Sequence, residues 1–84
     1  MEAAGPLVIF VNRARGPYTG REPRVAVRVM ASLAGVTLVP EGKPWMMVSG
    51  RDFDEAVREL IKRLNEADDR LGIHRSYVLE FHYR

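Results

Sequence analysis

Arg24-Val25-Ala26-Val27-Arg28-Val29-Met30-Ala31-Ser32-Leu33-Ala34 decides the fold of this 84-residue chain. Residues 24–29 alternate like a strand, yet Val25, Ala26, Val29, Met30 and Leu33 also fall at helical spacing. The flanks favour a helix. Thr19 and Glu22 have the spacing of a capping box, Pro23 suits an early helical position, and Gly35 suits the residue just past a helix end. The three β-branched valines cost a helix only a few tenths of a kcal/mol each. The segment is therefore read as a helix, with a strand as the alternative.

Working outward, Leu7-Val8-Ile9-Phe10-Val11 is apolar at every position, the pattern of a strand covered on both faces at a sheet centre. Val36–Val39 is a short β-branched run, Pro40–Pro44 a turn by composition, and Trp45–Val48 a further strand, equally apolar throughout. Phe53, Ala56, Val57, Leu60, Ile61, Leu64, Ala67 and Leu71 follow the i, i+3, i+4, i+7 rule. This long helix has Asp52 or Ser49 as its cap and ends at Gly72. Ser76–Tyr83 alternates, with Tyr77, Leu79, Phe81 and Tyr83 on one face, and is expected at a sheet edge.

The order becomes β-α-β-β-α-β, a two-layer α+β sandwich of ferredoxin-like topology, with residues 1–84 forming one domain. If residues 24–30 are a strand instead, the fold is a five-stranded sheet crossed by one long helix.

Composition narrows the classes. Apolar content of 46% and charged content of 29% match a globular domain. No apolar run approaches the roughly 20 residues of a membrane span, and the N-terminal segment lacks a basic stretch before a short apolar run, so a cytoplasmic protein without membrane contact is expected. Without cysteine there is no disulfide framework or thiolate metal site. The absence of Gln, with only Asn12 and Asn65 and cations that are nearly all Arg, fits a thermophile and equally a GC-rich genome.

The net charge of +2 is unevenly spread. Most of the excess lies in Asn12-Arg13-Ala14-Arg15-Gly16-Pro17-Tyr18-Thr19-Gly20-Arg21-Glu22-Pro23-Arg24, directly after the first strand. Arginine forks bind phosphate bidentately, a helix N-terminus beyond the loop would favour an anion, and Tyr18 offers a face for a base. Arg13, Arg15, Tyr18, Arg21 and Arg24 are thus the candidate nucleic-acid or anion contacts. Four neutralised phosphates would give a slope near −3 to −4 in log K against log salt. The bland alternative is a solvated surface loop. Neither GxxxxGK[ST] nor GxGxxG is present.

In a two-layer domain, helices cover only one sheet face, so one side of each all-apolar strand would be open. Val8, Phe10, Trp45 and Met47 are the candidate interface for a second copy or a protein partner. The long helix pairs Asp54–Arg58, Glu59–Arg63 and Glu66–Arg70 at i, i+4, which reads as a solvated charged face. His74 and His82 lack metal-ligand spacing, and Ser32, Ser49 and Ser76 stand in structural contexts, so no metal, cofactor or catalytic residue is expected.

In the position and arginine content of the first loop the chain resembles the acylphosphatases, small ferredoxin-like enzymes that hold phosphate on an Arg after the first strand. The family's VQGVxFR pattern is absent and no Asn lies on Trp45–Val48, so the resemblance is one of topology and no catalytic residue is carried over. The expectation is a small, non-catalytic, basic binding module, nucleic-acid- or ribonucleoprotein-associated. The alternatives are an oligomerising or protein-interaction subunit using its sheet face and edge strand, and a small phosphate-handling enzyme.

Overall fold

The computed structural model describes residues 7–83. Five strands and one long helix form a two-layer α+β unit: β1 (Leu7–Val11), β2 (Arg24–Ser32), β3 (Gly35–Pro40), β4 (Val48–Gly50), α1 (Phe53–Arg70) and β5 (Tyr77–Tyr83). A single 3-10 turn, Pro44–Met46, precedes β4. The strands lie in the order β1-β5-β2-β3-β4. β5 is antiparallel to β1 and parallel to β2, and the β2–β3 and β3–β4 pairs are antiparallel.

The segment read as a first helix is therefore strand β2, and the ferredoxin-like reading gives way to its alternative. Val25, Val27 and Val29 explain the outcome. In a helix Val27 would stand about 200° round the axis from Val25 and Val29, on the opposite flank. In a strand all three share one face. Val27 and Val29 are fully buried against α1, and burial of a valine stabilises by about 1.5–3 kcal/mol, far more than the propensity difference.

The supposed caps have other uses. Thr19 and Glu22 form half of a capping box with no helix behind it: the Glu22 carboxylate accepts the Thr19 N–H at 2.9 Å and so closes a loop turn. Gly35, at φ 142°, ends the two-residue β2–β3 hairpin turn. A side chain there would run into the carbonyl of Gly50 on β4.

Strand positions differ from expectation for the same reason. β5 lies inside the sheet between β1 and β2, not at an edge, while the all-apolar β1 is an edge strand. Trp45 and Met46 belong to the 3-10 turn, and Met47 is its C-cap, so the expected Trp45–Val48 central strand shrinks to β4.

The long helix forms as expected. The Asp52 carboxylate accepts the Glu55 N–H at 2.8 Å, and Ala56, Val57, Leu60 and Leu64 are buried. At the far end Ile73 N–H donates to the Asp68 carbonyl and Gly72 N–H to that of Asp69, with Gly72 at φ 71°, the Schellman closure. Phe53 packs edge-on against Phe81, ring centres 5.0 Å apart. The three expected i, i+4 pairs are not formed within 4 Å; among the described residues the pair at that spacing is Arg51–Glu55 at 3.2 Å. Among the described residues no helix is long and apolar enough to cross a membrane.

The helix covers the sheet face that carries Val27, Val29, Leu38, Val48, Tyr77, Leu79 and Phe81. The opposite face carries Val8 and Phe10 of β1, Val78, Glu80 and His82 of β5, and Arg24, Ala26, Arg28 and Met30 of β2, as the cross-strand register requires.

Candidate anion and nucleic-acid interface

The loop from Asn12 to Pro23 runs between β1 and β2, and a residue from the far end of the chain holds its start. Ser76, which is buried, accepts the N–H groups of Arg13 at 2.9 Å and Ala14 at 3.0 Å through its Oγ, and donates to Asn12 Oδ1 at 3.3 Å. One hydroxyl thus ties down three consecutive residues. Toward its other end the loop closes a local turn, with Glu22 on the Thr19 N–H and Arg21 N–H donating to Thr19 Oγ1 at 3.2 Å. Partial burial raises the Glu22 pKa, but hydrogen bonds from the Thr19, Glu22 and Gly20 backbone and the Thr19 hydroxyl outweigh it, and the carboxyl rests below its ordinary range.

The four loop arginines divide into two kinds. Arg13 reaches back to α1, where Nη2 donates to Asp69 Oδ1 at 2.7 Å, and its side chain is only 12% exposed. That hydrogen bond raises the Arg13 pKa and lowers that of Asp69. Arg24, the first residue of β2, donates to Glu80 Oε2 at 2.7 Å, and the other oxygen of Glu80 lies 3.0 Å from His82 Nε2. Arg13 and Arg24, both expected as anion contacts, are thus tied to carboxylates of the same chain, although the Arg24 side chain stays half exposed. Arg15 and Arg21 have no carboxylate within 4 Å among the described residues, and Arg15 is exposed. Arg15 adopts φ 58°, the left-handed region uncommon for a side-chain-bearing residue.

Tyr18 is half exposed, its ring edge-on to Phe10 with centres 5.4 Å apart. The loop aromatic therefore stands against the open face of β1.

Two residues that the sequence did not connect to the loop join this region. A cleft of about 390 Å3 between the loop and the α1–β5 turn is lined by Thr19, Arg21, His74, Arg75 and Ser76, among others. Arg75 is half exposed, with its nearest carboxylate, Asp68, at 3.7 Å, and His74 lies 3.8 Å from Asp69. Nothing local marks these residues; only the fold brings them to the loop. Among the described residues no group of three or more His, Cys, Asp or Glu could hold a metal ion.

The candidate interface residues lie apart. Val8 and Phe10 are on the open face of β1. Trp45 is 72% exposed beside α1, in a groove with Lys62, Arg63 and Arg70, and Met47 is exposed where the 3-10 turn ends.

Comparison with known protein families, with curated proteins and with solved structures finds no match to this chain. Functional interpretation therefore rests on the geometry of the loop and its cleft.

Proposed function

We propose that the chain is a small nucleic-acid-binding module that receives the phosphate backbone of a single strand along the loop and cleft. Arg15, Arg21 and Arg75 contact phosphate, and Tyr18 supplies a stacking face. The observation that carries this reading is a loop anchored at its start by Ser76 which leaves Arg15 and Arg21 without a carboxylate partner among the described residues, with Arg21 lining the same cleft as Arg75. A loop already held in place loses little conformational entropy when it binds. Guanidinium forks suit phosphate, and base stacking on an aromatic contributes about 1–3 kcal/mol. Arg13 and Arg24 act as supports, Arg13 fixing the loop to α1 and Arg24 bracing β2 on β5.

Three phosphate contacts on a single strand predict a slope of about −2 in log K against log salt, shallower than the four-arginine expectation. Fluorescence anisotropy with labelled single-stranded RNA and DNA, and with duplex, at two salt concentrations tests the proposal. The Arg15→Ala, Arg21→Ala double variant is expected to bind about tenfold more weakly and to shallow the slope by about 1.4. Absence of binding at low salt, or identical binding by the double variant, overturns it.

A further inference from the structure

We infer that β1 is a self-association strand: two copies of this chain pair antiparallel through their β1 edges, with Ile9 on the two-fold axis, to form a continuous ten-stranded sheet.

The inference begins with a mismatch between sequence and position. Leu7-Val8-Ile9-Phe10-Val11 is apolar at every residue, yet none of the five is buried in the single chain; Leu7 and Val8 are 46% and 47% exposed. Its neighbour β5 buries four of its seven residues. β1 lies at the end of the strand order remote from β3 and β4, the strands α1 packs against most closely, and its outer edge has no strand beside it among the described residues. Edge strands are ordinarily blunted by charges, proline, a bulge or short length. The opposite edge follows that rule, since β4 has only three residues. β1 has five and carries no charge, no proline and no break in its pairing with β5. An uncovered apolar edge of this kind is a template for another strand.

A second copy is the occupant that the sequence of β1 itself matches. About Ile9 an antiparallel pair sets Leu7 opposite the second copy's Val11, Val8 opposite its Phe10, and Ile9 opposite its Ile9. Every pair is apolar and no charge meets its like. The two chains would share about four to six backbone hydrogen bonds. Val8 and Phe10 of each copy would make one apolar stripe across the open face, and β1 would become the interior strand its composition resembles. The two arginine loops would leave the joined strands at opposite ends, their first residues, the two copies of Asn12, about 20 Å apart along them, so their charges do not oppose the contact.

The absence of cysteine allows a register-specific test in the full chain. Light scattering from about 10 μM to 1 mM should show a mass rising from 9.5 kDa toward twice that value. Ile9→Cys, oxidised under mild conditions, should cross-link at least tenfold faster than Leu7→Cys or Val11→Cys. Only position 9 would lie within the 4.4–6.8 Å Cα separation a disulfide needs, while positions 7 and 11 would be about 14 Å from themselves. Val8→Lys, on the exposed face, should keep the circular dichroism of the parent and remain monomeric. A strict monomer to 1 mM overturns the inference, as does a dimer in which Ile9→Cys cross-links no faster than Leu7→Cys and Val11→Cys. Neither outcome bears on nucleic-acid binding by the monomer.

Discussion

Ser76→Ala is the substitution that most directly tests how the loop is built. The serine Oγ is the acceptor for two backbone N–H groups, those of Arg13 and Ala14, and its own proton goes to Asn12. Removing it leaves two donors and one amide oxygen without their partner. A buried donor left unpaired costs about 1–3 kcal/mol. Ala14 is exposed and can turn to water, whereas Arg13 is partly covered, so the full penalty falls on one group and a fraction of it on the other. The expected loss is about 1–3 kcal/mol, or roughly 5–20 °C in Tm for a domain of this size. Urea unfolding should move the midpoint with an unchanged slope, because the surface exposed on unfolding is the same. Amide hydrogen exchange should quicken at Arg13 and Ala14 before it does in β5. Ser49→Ala is the control: that hydroxyl bonds only Thr37 at an exposed site, and its loss should change stability by less than about 0.5 kcal/mol. If Ser76→Ala matches Ser49→Ala and leaves exchange at residues 13 and 14 untouched, Ser76 is not the anchor. The rigid-loop basis of the binding proposal would fall with it.

Tyr77 gives an alkaline test. Burial pushes its phenol up to about 12, and its hydroxyl donates to Asn65 Oδ1 at 2.8 Å. The raised value means stability is complete below pH 10 and is lost between pH 10 and 12, where the unfolded chain ionises first, by up to about 3 kcal/mol in all. Tyr77→Phe should lose about 1 kcal/mol at neutral pH and lack that alkaline decline in urea melts; parallel pH profiles for the two proteins would contradict this. Asp69 gives the acid counterpart. Its lowered pKa, caused first by the Arg13 hydrogen bond, contributes stability above the ordinary carboxylate range that disappears as pH falls through the folded value. Asp69→Asn should flatten that part of the acid limb, and an unchanged limb would remove the ion pair from the account. Gly50→Ala places a methyl 2.6 Å from Ala56 N, on backbone that cannot swing aside. It should cost about 2–3 kcal/mol as β4 is pushed from α1, measurable by thermal melting; a loss below about 0.5 kcal/mol would mean that contact is loose.

Much of this architecture was legible residue by residue. Asp52, the apolar stripe through Leu60 and Leu64, and Gly72 marked α1 and both its ends. The alternation of Tyr77, Leu79 and Phe81 marked the buried face of β5. Arg15, Arg21 and Tyr18 were legible as loop groups open to solvent, although which arginines would be committed to carboxylates was not. Asp69 and Glu80 lie 56 positions from Arg13 and Arg24, and no local pattern links them. The error at residues 24–34 has a specific cause. Val25 and Val29 fit both periods, and the turn chemistry of Thr19, Glu22 and Gly35 serves a loop and a hairpin as well as helix ends.

The sequence alone determined the period of β1, β3, α1 and β5 and the core-facing residues of α1 and β5, because those follow from backbone geometry within a few residues. It therefore settled the class, a small α+β domain with a basic loop, and the extent of the long helix. Only the tertiary structure decided that β5 lies between β1 and β2, that β1 is left at an edge, and that Ser76, His74 and Arg75 meet the arginine loop. Those are contacts between segments dozens of residues apart. A strand's own alternation shows which side is covered, not which strand lies next to it.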